Sequence, residues 1–135
     1  KLDVMSLDTL RADVEAMIER FRPDTLLVFD EGGITGHADH TRATEAAIAA
    51  ARGDLPVVAW AIPESVAAAV NLEFGTAFCG RAPSELDFRL PVDRATQCRA
   101  IACHASQARD NAVLLRRLEL LGDTEWLRIL NRHGS

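Results

Sequence analysis

Thr25-Leu26-Leu27-Val28-Phe29, then Asp30-Glu31-Gly32-Gly33, then Ile34-Thr35-Gly36-His37-Ala38-Asp39-His40: the order of these three pieces decides the fold. The first is a wholly apolar run, too short for a helix. It reads as a parallel strand buried on both faces. The second is a loop, and Gly32, Gly33 and Gly36 permit positive φ or a close backbone approach to a ligand. The third leads into residues 40–51, predicted helical. There Ala43, Ala46, Ala47, Ile48, Ala50 and Ala51 offer a small-residue face that can lie close on a sheet, and Gly53 offers a stop. Strand, loop and helix start are where α/β proteins hold ligands, beyond the carboxyl ends of the strands.

The third piece holds two of the 4 histidines, with an aspartate between them. Neutral imidazole is the commonest protein metal ligand, and an adjacent carboxylate can fix its tautomer. A helix start also presents free N–H groups. The segment can therefore supply one metal ligand, one supporting carboxylate and one acid/base histidine. Equally, Asp39 can cap the helix while two polar histidines sit beside it on a solvated loop. Asp30 and Glu31 stand at the strand's end, where either can orient a substrate hydroxyl.

Outward from this stretch the pattern continues. Upstream, Leu7, Leu10, Val14, Met17, Ile18 and Phe21 repeat at helical spacing behind Ser6, a suitable N-cap, and Pro23 ends that helix with Arg22 pushed towards extended geometry. Downstream, residues 55–62 read as a second strand with Trp60 in the core. Residues 66–74 read as a short helix or a loop over the site. Residues 75–84 form a connection. Residues 85–92 alternate apolar and charged, as a half-exposed strand at an edge does, which suggests a mixed sheet. Asp93 caps a helix whose inner face is Cys98, Ile101, Ala102 and Ala105. The tail reads as two packed helices, the second capped by Asp123, with His133 inert near the terminus. The sum is an α/β protein: a three-layer α/β/α Rossmann-like sandwich with a mostly parallel sheet.

Composition narrows the class. The 135 residues are 48% hydrophobic and 26% charged, enough for one domain with a core. A formal net charge of −5 argues against nucleic acid. No apolar run approaches a membrane span. The 3 cysteines, Cys79, Cys98 and Cys103, form no C-x-x-C pair. Cys98 and Cys103 read as small core or half-buried residues, Cys79 lies in a loop-like stretch, and the set suits a reducing, cytoplasmic protein.

Residues 22–47, RPDTLLVFDEGGITGHADHTRATEAA, resemble the LmbE-like de-N-acetylases, the family of N-acetylglucosaminyl-phosphatidylinositol de-N-acetylase (PIG-L) and of the mycothiol and bacillithiol deacetylases. The match is an R-P-D-x strand leading to G-H-P-D-H, with Ala38 where the family has proline. Residues 99–107, RAIACHASQ, are similar to the family's late H-x-S-Q segment. The family's other signature, A-H-P-D-D-E, is absent. Residues 1–135 are accordingly expected to be the C-terminal part of one such domain, incomplete without an N-terminal segment or a companion chain.

The resemblance implies a zinc-dependent hydrolysis of the N-acetyl amide of an amino-sugar conjugate. Zn2+ is the expected cofactor, another divalent metal being compatible. His40 would be a metal ligand. His37 would steady the oxyanion or protonate the leaving amine, and Asp39 would orient His37. Asp30 and His104 would meet substrate. A homo-oligomer is compatible with the sequence. The alternative is a non-catalytic sugar- or partner-binding module with a degenerate metal site. On the deacetylase reading, the imidazole of His40 should lie at the ends of the central strands.

Overall fold

The computed structural model describes residues 2–52, 55–104 and 111–131. After a short 3-10 turn, Leu2–Val4, come α1 (Leu7–Phe21), β1 (Leu26–Phe29), a single helical turn α2 (Gly33–Gly36) and α3 (Ala38–Ala50). Then follow β2 (Val57–Ala61), α4 (Glu64–Phe74), β3 (Phe88–Pro91), α5 (Arg94–Ala102), α6 (Ala112–Leu121) and β4 (Thr124–Ile129). The expected α/β fold is formed, and residues 66–74 belong to a helix. The Ser6 hydroxyl accepts the Thr9 N–H, as an N-cap does. Arg22 is left-handed (φ 45°), not extended; its N–H closes α1 on the Ile18 carbonyl.

The sheet order is β1-β2-β4-β3. β1 and β2 are parallel, with Phe29 opposite Trp60. β4 runs antiparallel to both β2 and β3. The sheet is therefore mixed, and among the described residues mostly antiparallel rather than mostly parallel. The cause is the tail. Residues 124–129, read as helix, are a strand inserted between β2 and β3. Gly122, at φ 58° and ψ −140°, breaks the chain out of α6. The strand then alternates: Glu125, Leu127 and Ile129 face one way, Trp126 and Arg128 the other. A short apolar run suits either state, and here the open flank of β2 decided it.

β2 is covered on both faces, as in a layered sandwich. Val57, Ala59 and Ala61 are fully buried on one side. On the other, the guanidinium of Arg117, from α6, lies 5.1 Å over the Trp60 ring. The main core joins Ile34, Ile62, Val66, Ala67, Val70, Phe78 and Leu121, with Trp60 packed against it. β1 ends the sheet, and Leu27 on it is 68% exposed. β3 forms the other edge, as expected, with all four residues exposed. Cys98 and Cys103 depart from expectation: both are exposed thiols, as is Cys79. The reason for Cys98 and Cys103 is that α5 buries none of its residues.

Candidate functional site

The loop after β1 is built by ties to distant segments. The Asp30 N–H donates to the Trp60 carbonyl (3.0 Å), extending the β1–β2 pairing by one residue. Gly32 and Gly36 then take the positive φ values (84° and 73°) that the glycine-rich sequence suggested. Between them Ile34 sits at φ 61° and ψ −54°. Positive φ is strained for a β-branched residue and persists only where surroundings over-determine it. They do: Ile34 is 2% exposed within the core, and its carbonyl accepts the Cys79 N–H at 3.2 Å.

His37 ends the loop as the N-cap of α3. Its Nδ1 accepts the Asp39 N–H at 3.2 Å, and its carbonyl accepts the N–H groups of His40 and Thr41. His37, not Asp39, therefore caps this helix. The His40 ring stacks on Phe29, the last residue of β1, with centroids 4.2 Å apart and planes 21° apart. The His37 ring lies 4.9 Å from that of His40. Both imidazoles thus gather at the carboxyl end of β1, His37 exposed and His40 half-buried. Phe29, read from sequence only as strand, is the platform beneath His40.

The Asp39 carboxylate does not orient His37. It accepts the backbone N–H groups of Leu2 (2.7 Å) and Asp3 (3.3 Å), so the link between the two residues runs the other way, from the Asp39 backbone to the His37 ring. The Asp39 carboxyl is held below its ordinary value. Burial opposes that shift, but the Leu2 and Asp3 donors and the neighbouring His37 outweigh it.

Asp30 is 1% exposed and fully engaged. Its Oδ2 accepts Arg81 Nε at 2.5 Å; its Oδ1 accepts Arg128 Nη1 at 3.1 Å and the Glu31 N–H at 2.8 Å. Arg81 Nη2 also donates to the Glu31 carbonyl at 3.3 Å. For Arg81, burial alone would favour loss of the proton, but Asp30 holds it and raises the guanidinium pKa. Arg81 is itself anchored beside β2, its N–H on the Ile62 carbonyl (2.8 Å) and its carbonyl on the Glu64 N–H (2.9 Å). Gly80 makes this approach feasible, since a Cβ there would lie 2.4 Å from the Glu64 Cα. Sequence reasoning missed both arginines. They stand 51 and 98 positions from Asp30, so no local spacing announces them.

His104 lies exposed just past the end of α5, its N–H on the Ile101 carbonyl. No ring contact joins it to His37 or His40 among the described residues. Ala105, Ser106 and Gln107 of the H-x-S-Q resemblance, with Gly53 and His133, fall outside the described residues. Among the described residues no group of three or more His, Cys, Asp or Glu could hold a metal ion, and no helix is long and apolar enough to cross a membrane. A mainly apolar groove of about 590 Å³ opens near the site, lined by Leu27, Phe29, Thr44, Trp60, Leu90 and Leu127. A larger recess of about 790 Å³, between α1 and the end of α3, is lined by neither histidine.

No family model matches the sequence, and no curated protein does. Solved structures do match in fold. One is the A40926 pseudoaglycone deacetylase Dbv21, at 20% identity and a TM-score of 0.62, over 96% of this chain and 58% of that one. Another is the zinc-inhibited form of the teicoplanin deacetylase Orf2, at 19% identity and a TM-score of 0.65, over 96% of this chain and 53% of that one. Along nearly its whole length, then, the chain has the fold of these two deacetylases, and it spans somewhat more than half the length of each.

Proposed function

We propose that this chain forms part of an N-deacetylase that hydrolyses the N-acetyl group of an amino sugar or its conjugate, with His37 and His40 at the centre. One observation carries the reading. Two imidazoles meet 4.9 Å apart at the carboxyl end of β1, in a fold shared with two deacetylases. That end of a strand is where this class of fold binds its ligands.

Of the two roles for His37, one is supported by its hydrogen bond. Its Nδ1 accepts an N–H, so the ring proton of the neutral imidazole sits on Nε2. Nε2–H can donate to the oxygen that gains charge as the amide carbon becomes tetrahedral. To protonate the leaving amine, the ring would first have to become imidazolium, with Nδ1 a donor, and so give up the cap. His37 is therefore assigned to the oxyanion. Phe29 holds His40 in place by stacking. Asp30, enclosed by two arginines, supports the loop rather than meeting substrate. His104 remains the candidate substrate contact.

A catalytic zinc takes three protein ligands plus an open position, and when bound it supplies a water acidified to a pKa of about 7. The described residues do not make such a set, so they do not fit the complete group. His40 is the one ligand we assign. The remaining ligands would come from an N-terminal segment or a companion chain. The isolated 135 residues should then bind zinc weakly and release no acetate. Stoichiometric zinc retained through gel filtration would contradict this.

The same missing set favours a second reading, a non-catalytic sugar- or partner-binding module. Zinc titration of the complete protein, with an N-acetylglucosaminide as substrate, separates the two. The enzyme reading expects acetate release, and loss of bound metal in His40→Ala. No acetate, with metal content unchanged in His40→Ala, would leave the binding module. Because one similar structure is described as zinc-inhibited, the titration should extend well beyond one equivalent.

A further inference from the structure

We propose that Arg81 and Arg128 are positioning residues: they clamp Asp30 from two sides and so hold the loop that delivers His37 and His40 to the end of β1. Its catalytic meaning rests on the deacetylase reading; the clamp itself does not.

Four observations converge on the loop. Asp30 is buried to 1% exposure, and among the described residues its carboxylate is met by the two guanidiniums and the Glu31 N–H. Arg81 grips the loop twice, through the carboxylate and through the Glu31 carbonyl. The segment that carries Arg81 adds a further tie, from the Cys79 N–H to the Ile34 carbonyl. Finally, Ile34 holds a backbone conformation that an untied loop would abandon. Three glycines and a single helical turn give the loop little stiffness of its own. Its shape is therefore imposed by β4 and by the strand-like passage beside β2. A catalytic group must be held within a fraction of an ångström, and ties of this kind provide that.

The bland alternative is that the buried ion pairs merely add stability, as such pairs can. The two accounts differ in where the loss appears. The test is NMR on the 135-residue chain at one fixed pH, reading the ring signals of its histidines together with amide hydrogen exchange. In Arg81→Gln the His37 and His40 signals should shift, and the amides of residues 31–37 should exchange about tenfold faster or more relative to β2 and α1. The His104 signal should stay put. Arg81→Lys keeps a charge for Asp30 but not both contacts, and should fall between. Glu85→Gln, which removes only the exposed partner 3.8 Å from Arg81, should change neither readout. Unchanged ring signals and loop exchange in folded Arg81→Gln would overturn the clamp. So would a rise of equal size in α1 and β2. Should Arg81→Gln not fold, Arg128→Gln and Arg81→Lys carry the same comparison; their failing to fold as well would also overturn it, since a clamp on one loop does not hold up the whole chain. Inactivity of the complete protein would instead sink the deacetylase reading and leave the clamp standing.

Discussion

The two described segments that bear histidines are held very differently. The loop of residues 30–37 is tied to β2, to β4 and to the passage around Arg81, and one of its residues lies in the core. The segment from Arg94 to His104 buries nothing, and is secured mainly at its start. There Asp93 caps α5, and Arg94 reaches Glu125 at 2.5 Å and the Gly122 carbonyl. Both segments bear residues of the right type for the same chemistry. Only the first is preorganised, and preorganisation is what separates a site from a composition.

The comparison breaks most easily at Asp30. Asp30→Ala leaves two guanidiniums without their carboxylate, and the amides of residues 31–37 should exchange about tenfold faster or more relative to β2 and α1. Loop exchange unchanged in Asp30→Ala would mean that the loop is no better held than α5. Next is Gly80→Ala, which sets a methyl against the Glu64 backbone and should cost about 1–3 kcal/mol. A neutral result would show that the passage carrying Arg81 can move freely.

Acid should act on the other side of the comparison. The Asp93 carboxyl lies below its ordinary value of 3.8, because the Thr96 hydroxyl and N–H favour its charged form. A depressed value in the folded state means that the cap's contribution is complete above pH 3.8 and is lost as the pH falls below it. Amide exchange in α5 should therefore accelerate on acidification. Asp93→Asn, which caps without titrating, should remove that pH dependence. Smallest of all, His104→Ala should stay within about 0.5 kcal/mol of the parent, since the side chain is exposed. A larger loss would show that the end of α5 is packed in a way its exposure does not suggest.

Much of this was legible in the sequence, because it is local. The apolar spacing of α1, the uniform run of β1, the Ser6 and Asp93 caps and the edge character of β3 each depend on a few consecutive residues. The exceptions are long-range. Residues 124–129 suit helix or strand, and only the vacancy beside β2 settles them. The same insertion turns an expected mostly parallel sheet into a mixed one. Asp39 could orient His37 or cap α3 on spacing grounds; the nearness of Leu2 and Asp3, which spacing cannot show, draws its carboxylate elsewhere. Arg81 and Arg128 were invisible because an ion pair across such separations leaves no periodic trace.

The pairing of His37 with His40 at the end of β1 is tested most directly by the rate of acetate release from an N-acetylglucosaminide. The complete protein would be compared with His37→Ala, His40→Ala and the double variant. If the two rings work as one site, His37→Ala should lose about 10²–10³ in kcat, the usual cost of one oxyanion donor. His40→Ala should lose at least as much, and the double variant little more than the worse single. Either single variant turning over at the parent rate would contradict the account.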